Sequence, residues 1–269
     1  MAKDEAAHAA RPEEATKPPA EAGALPIALE YLEARGLALD VLRRVFLSEP
    51  ERAFLDACQR SQALSVFACF EESKACVRGM EDVGCYFDGH DPVESQNDFD
   101  ELHADYTRLF VGPRAPMAPL WASYYLEPEK LLFQQTTLDV RNLYRTYGLV
   151  FDGGLNEEAD DHLGLELDFL FRLNARMARM AREGGLESAD DGMPERAGCD
   201  ARRKEFEDMR EVQRRFVGSH MRSFAPAFEK AVAEHSSTGY YQGFARILVG
   251  FLEIDAMELG AGHDDCRAR

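Results

Sequence analysis

Apolar residues recur along most of the chain at intervals of three or four, the spacing that puts side chains on one face of an α-helix. The clearest case is the segment 160–182, where leucines and methionines form one stripe and arginines lie off it. The same pattern predicts helices over 25–47, 51–59, 63–80, 98–111, 128–147, 160–182, 201–235 and 240–259.

Capping residues and prolines mark the expected helix boundaries. Ser95 or Asn97 is expected to cap the helix over 98–111, and Pro128 to open the helix that follows. Pro226 is expected to break or kink the helix over 201–235. Since no Asn-Gly or Asp-Gly pair joins two alternating runs, we predict an all-α protein, a single bundle of about eight to ten helices.

Two segments lack this helical pattern. Residues 1–24 are rich in Ala, Glu and Pro without an aromatic residue, which predicts a disordered tail. Residues 183–200 combine glycines and charges around Pro194, which predicts a long loop. The rest of 25–269 is expected to form one helical domain.

Charge narrows the possible functions. The 269 residues include 49 acidic and 31 basic side chains, a net charge of −18 that repels nucleic acid and anionic lipid. No apolar run reaches the roughly 18 residues of a membrane span, so no stable membrane insertion is expected. The first residues lack the apolar core of a secretory signal, so we predict a cytoplasmic protein.

The six cysteines form no CxxC pair and are expected to be reduced.

Two acidic stretches, 79–107 and 156–169, contain no Lys or Arg. They are typical of solvated helix ends, or of an anionic rim for a cationic peptide. The second stretch also permits an all-α metal-dependent enzyme that would use Asp160, Asp161, His162 and His103. Its spacings do not match a di-iron bundle or an Asp-rich prenyl-synthase motif, and a helical adaptor is a further alternative.

The segment 106–128 combines several prolines with Tyr124, Tyr125 and Trp121, the only tryptophan. The prolines favour an extended loop between two helices. Trp121 either pins this loop to the core or forms the aromatic wall of a groove for an apolar peptide.

Four motifs in this order give the chain a family resemblance: YTRLFVGP at 106–113, PLWASYYL at 119–126, YRTYGL at 144–149 and DHLGLELDFL at 161–170. With these motifs, residues 25–259 resemble the TorD/DmsD/NarJ family of redox-enzyme maturation chaperones. Two positions depart from the family pattern: Ala159 stands where a proline is frequent, and Ala122 where a glycine is common.

The resemblance implies an all-helical cytoplasmic chaperone rather than an enzyme, with no cofactor of its own. Its partner would be the twin-arginine signal peptide, or a related N-terminal segment, of a molybdopterin oxidoreductase subunit. It would hold this leader until the cofactor is inserted, before Tat export, as a monomer or a helix-exchanged dimer. The candidate peptide-binding residues are Trp121, Ser123, Asp161 and His162, which match the family, with Tyr106, Phe110, Tyr125, Glu158 and Asp160 around them.

Overall fold

The computed structural model describes residues 27–60, 62–112, 115–129, 134–149, 159–184 and 196–260, and within these ranges it forms helices and no strand. The ten α-helices are α1 Leu29–Leu47, α2 Arg52–Arg60, α3 Lys74–Gly89, α4 Gln96–Tyr106, α5 Ala122–Leu126, α6 Gln135–Thr146, α7 Leu163–Glu183, α8 Arg196–Arg215, α9 Arg222–His235 and α10 Gly239–Gly260. A 3₁₀ helix spans Gln62–Phe70, and π-helical segments span Thr107–Val111 and Phe216–Met221. The predicted all-α class and number of helices are confirmed.

Two helix pairs make the most extensive contacts, α3 with α10 and α1 with α7. Glycine allows α3 and α10 to approach closely, because a Cβ atom on Gly79 would lie 2.5 Å from the carbonyl oxygen of Gly243. Gly164 allows a similar close approach of α7 to α1, because a Cβ atom on Gly164 would lie 2.7 Å from the Cα of Leu47. The backbones of these helices are therefore in direct contact, and the contact with α1 fixes the position of the start of α7.

A buried polar network joins four helices at the centre of the fold. Arg35 of α1 binds both carboxylate oxygens of Asp255 in α10, at 2.6 and 2.9 Å, and both side chains are fully buried. The same guanidinium donates to Asn174 of α7 at 3.0 Å and to Gln213 of α8 at 2.7 Å. Tyr31 donates to Asp255 at 2.7 Å. Because the buried charges are paired and hydrogen-bonded, the network holds the four helices in one arrangement.

The prediction of one helix over 63–80 is wrong. A 3₁₀ helix ends at Phe70, and α3 begins at Lys74 and runs on to Gly89. The apolar residues Leu64, Phe67 and Phe70 recur every third position, which matches the three residues per turn of a 3₁₀ helix. Cys69 and Cys76 therefore lie on separate elements.

Both proline predictions need correction. Pro128 lies in a turn after α5, and α6 begins only at Gln135. The break in the helix over 201–235 lies in the π-helical segment Phe216–Met221, and Pro226 sits inside α9. Pro226 has no N–H to donate to the carbonyl of Arg222, the first residue of α9. The π-helical segment ends at Met221, immediately before Arg222.

α8 begins at Arg196, inside the segment 183–200 for which a long loop is predicted. Residues 185–195 and the predicted tail at 1–24 lie outside the described residues. Within the described ranges, no helix is long and apolar enough to cross a membrane. Five of the cysteines, at 58, 69, 76, 85 and 199, are free thiols, and Cys266 lies outside the described part of the chain.

Candidate functional site

The chain reverses direction after α4 and runs back to Trp121. The π-helical segment Thr107–Val111 ends at Gly112, whose φ of 65° is readily adopted by glycine. The returning segment is held to it by two backbone hydrogen bonds, from Met117 to the carbonyl of Arg108 at 3.3 Å and from Ala118 to that of Leu109 at 2.8 Å. This return places Trp121 at the start of the short helix α5.

An antiparallel bridge joins Trp121 to His162, just before α7. The N–H of Ala122 donates to the carbonyl of Asp161 at 3.0 Å, and the N–H of Leu163 donates to the carbonyl of Leu120 at 2.7 Å. The starts of α5 and α7 therefore lie side by side. The second and fourth sequence motifs, which lie far apart along the chain, meet at this bridge.

Asp161 is fully buried, and its carboxylate links three elements. One oxygen accepts the backbone N–H of Ser123 in α5 at 2.8 Å, and the other accepts the hydroxyl of Thr137 in α6 at 2.8 Å. The carboxylate thus caps the N-terminus of α5 from another segment. Asp161 does not belong to an exposed acidic rim, the role that the acidic stretch suggested for it.

His162 caps α7 and contacts the tryptophan. Its Nδ1 accepts the backbone N–H of Gly164 at 3.1 Å, so its Nε2 carries the proton of the neutral ring. Burial lowers the pKa of His162 to about 4, against a weaker opposing effect of Asp161. The imidazole meets the Trp121 ring edge to face, with 6.2 Å between ring centroids. A neutral, nearly buried imidazole therefore supports one side of Trp121.

The remaining candidates differ in exposure. Trp121 and Tyr125 are half-buried, and Ser123 is buried, with no partner for its hydroxyl among the described residues. Tyr106 and Phe110 lie in the core, 6% and 4% exposed, and their rings pack on each other with centroids 5.3 Å apart. Those two rings therefore belong to the core and do not form a binding surface.

The two other acids predicted for the site are Asp160 and Glu158. Asp160 is half-buried and bound by Arg141, with its carboxylate 2.6 Å from the guanidinium. Its carbonyl accepts the hydroxyl of Tyr144 at 2.9 Å. Glu158 lies outside the described residues. Asp160 therefore already has a cationic partner within the chain.

Acids of the first acidic stretch, 79–107, also accept hydrogen bonds from backbone and hydroxyl groups within the chain. Asp105 is buried and accepts both the N–H and the hydroxyl of Thr238, at 3.0 and 2.7 Å, just before α10. Asp98 accepts the N–H of Asp91 at 2.8 Å, and this bond is the main cause of its lowered pKa. The predicted cap of α4 is Ser95, whose hydroxyl accepts the N–H of Asp98 at 3.3 Å. These acids stabilise helix ends in addition to contributing charge.

Sequence reasoning missed a buried pair beside the site, Glu166 of α7 and His220 of the second π-helical segment. Glu166 Oε1 and His220 Nε2 lie 2.6 Å apart. Burial raises the pKa of Glu166, an effect that the proximity of His220 opposes. Burial would lower the pKa of His220, but the charge and hydrogen bond of Glu166 raise it above its usual value. The partners are 54 residues apart, and no local pattern links them.

The alternative of a metal-dependent enzyme finds no support in the described residues. No group of three or more His, Cys, Asp or Glu side chains there is arranged to hold a metal ion. His103 faces Glu49 at 3.0 Å, while Asp161 and His162 are engaged by backbone and hydroxyl donors. Asp161 and His162 are therefore arranged to hold the loop at Trp121 in place.

Comparison with known proteins gives three informative relatives, each named Chaperone protein TorD. The protein of Aliivibrio salmonicida is 30% identical over 155 residues, which is 58% of this chain and 62% of that relative. The protein of Vibrio parahaemolyticus is 26% identical over 66% of this chain and 73% of its own length. The protein of Vibrio vulnificus strain YJ016 is 25% identical over 80% of this chain and 89% of its own length.

A family model described as nitrate reductase delta subunit matches residues 86–230. This range includes α4 to α8 and both segments of the Trp121–His162 bridge. The names of the relatives agree with the expectation of a binding protein rather than an enzyme. Because the match covers more than half of the chain, the protein belongs to the TorD/NarJ family.

Proposed function

We propose that this protein is a cytoplasmic chaperone for the maturation of a redox enzyme. It binds the twin-arginine signal peptide, or a related N-terminal segment, of a molybdopterin oxidoreductase subunit. It holds this leader until the cofactor has been inserted, before Tat export. Membership of the TorD/NarJ family supports the chaperone role, and the geometry around Trp121 supports the binding of a peptide.

The observation that carries the proposal is the position of Trp121. The ring is half-buried, and the bridge to His162 fixes the backbone on which it stands. A preorganised aromatic side chain binds an apolar segment at low cost in conformational entropy. The apolar middle of a leader would cover the exposed part of this ring. The net charge of −18 would attract the cationic start of the same leader.

The residues of the second and fourth sequence motifs have two different tasks. Trp121 contacts the leader, whereas Asp161 and His162 hold the backbone that presents Trp121. Ser123, the second residue of α5, contributes a buried hydroxyl. Tyr125 stacks on Phe224 of α9, with ring centroids 6.1 Å apart, and so connects α5 to the rest of the bundle.

Trp121 fluorescence tests the proposal, since this is the only tryptophan. Adding a twin-arginine leader peptide should shift its emission to the blue as the ring leaves water. Trp121→Ala should weaken binding about thirtyfold, the effect of losing an aromatic anchor worth about 2 kcal/mol. The free energy of unfolding of Trp121→Ala should fall by less than the roughly 3–5 kcal/mol that is lost when a fully buried tryptophan is replaced by alanine.

Phe54→Ala is the matched control, because Phe54 is a half-buried aromatic residue of α2. This variant should bind the leader as the wild type does. A leader that binds without any change in emission, and binds Trp121→Ala equally well, would rule out this site.

A further inference from the structure

A cavity of about 290 Å³ opens between α6 and the π-helical segment Phe216–Met221. Its apolar walls are Val140, Leu143 and Phe216. Its polar lining consists of Thr136, Asp139 and His220. A cavity of this size accommodates one long side chain, and its composition suits one with an apolar stem and a polar head.

His220 forms the boundary between this cavity and a buried carboxyl group. Its side chain is 18% exposed, while that of Glu166, 2.6 Å away, is fully buried. The second oxygen of Glu166 has no hydrogen-bond partner among the described residues. The His220 ring stacks on Phe216, with centroids 4.8 Å apart and planes inclined by 27°. The π-helical turn that carries both rings is a geometry frequent at functional sites.

The charged groups that act on His220 are all acids: Glu166 from α7, Asp161 from the turn before α7, and Asp139 from α6. Asp161 is bound by the neutral N–H of Ser123 and the hydroxyl of Thr137. Asp139 accepts the neutral side-chain amide of Gln135, also in α6, at 2.7 Å. Acids from three parts of the fold act on this one imidazole, so the neighbourhood of the cavity favours an additional positive charge.

We propose that this cavity receives an arginine side chain of the bound leader. The inference rests on the proposed function and assigns the cationic part of the leader to a defined place. The methylene stem lies along Val140 and Leu143, and the guanidinium lies beside the Phe216 ring and donates to the carboxylate of Asp139. Arginine fits better than lysine, because a planar guanidinium both stacks on a ring and forms paired hydrogen bonds with a carboxylate.

The test uses synthetic leaders with two adjacent arginines followed by a run of leucine and alanine. In matched peptides, each arginine in turn is replaced by citrulline, which keeps the shape and removes the charge. Binding is measured by calorimetry on the wild type and on Asp139→Asn. Asp139 is exposed, so this variant should fold normally. Asp88→Asn, an equal charge change at an exposed position of α3, is the control.

One of the two citrulline replacements should weaken binding to the wild type and to Asp88→Asn about tenfold, as expected for a charge-assisted hydrogen bond. The same replacement should cost less than about twofold in Asp139→Asn, because the partner carboxylate is already gone. Equal losses in all three proteins would overturn the assignment and leave the proposed function standing. Failure of the diarginine peptide to bind the wild type would overturn both.

Discussion

At the scale of single residues, the adjacent side chains of Asp161 and His162 perform different tasks that both serve Trp121. The Asp161 carboxylate joins α5 to α6 through Ser123 and Thr137. The neutral His162 ring caps α7 and supports the tryptophan ring. Both side chains are nearly or fully buried, so they act through position rather than through exposed charge.

Asp161→Asn should destabilise the protein and disturb the Trp121 loop. An amide replaces one of two acceptor oxygens by a donor, which leaves a buried N–H or hydroxyl donor without an acceptor and costs about 1–3 kcal/mol. Thermal unfolding should show a midpoint lower by about 2–4 °C for each kcal/mol lost. Asp160→Asn, at a half-buried position, should have a smaller effect. If Asp161→Asn and Asp160→Asn both unfold at the wild-type midpoint, Asp161 does not have this capping role.

The pH dependence of stability should report His162. Its pKa is about 4 in the folded chain, below the usual value of about 6.5 in unfolded chains. The unfolded state therefore binds more protons between these values. The contribution of His162 to stability is fully present above about pH 6.5 and is lost as the pH falls toward 4.

His162→Asn keeps an acceptor at the cap of α7 and removes the titrating ring. Its free energy of unfolding, measured in urea, should fall less between about pH 6.5 and 4 than that of the wild type. The control is His103→Asn, which removes a histidine whose side chain is 39% exposed. If His162→Asn loses stability over this interval as steeply as the wild type, the buried neutral ring is not the cause.

At the scale of elements, the sequence pattern predicted most helices because each buries one face against a neighbour. It did not predict the 3₁₀ helix Gln62–Phe70, whose three-residue spacing is close to the spacing of an α-helix. It also missed the π-helical segment that brings His220 to Glu166. For the candidate site, the family motifs gave Trp121, Asp161 and His162 as candidates, while the contact of Asp161 with Ser123, 38 residues away, depends on tertiary packing.

The close packing of α3 on α10 gives a prediction at this scale. Gly243→Ala should destabilise the protein by about 2 kcal/mol or more, because the new methyl group would lie 2.6 Å from the carbonyl oxygen of Gly79. Gly84→Ala in α3 meets no atom within 4 Å and should be neutral or stabilising by about 0.5–1 kcal/mol. Urea unfolding of both variants checks this. Similar stability of the two would show that the helices do not approach so closely.

At the scale of the whole molecule, the charge of −18 would attract the cationic leader of the proposed function before contact. Many of the acids are engaged by arginines or helix ends, but ion pairing within the chain does not change the net charge. Long-range attraction of this kind raises association rates and is screened by salt within a Debye length of about 10 Å at 0.1 M. The buried contacts around Trp121 should be much less sensitive to salt.

The association rate with a leader peptide should therefore fall severalfold between low and high salt, while the dissociation rate changes less. Stopped-flow measurement of Trp121 emission gives both rates. A leader whose arginines are replaced by citrulline is the control and should show a weaker salt dependence. An association rate independent of salt for the charged leader would contradict steering by the acidic surface.

The central claim is that this protein recognises one leader of a molybdopterin oxidoreductase through the site at Trp121. The most direct test is calorimetric titration of the purified protein with each twin-arginine leader encoded in its own genome. We expect one leader to bind at least about tenfold more tightly than the others, a difference of about 1.4 kcal/mol, and to lose that preference in Trp121→Ala. Failure of every leader to bind, or a preference that survives in folded Trp121→Ala, would contradict the account.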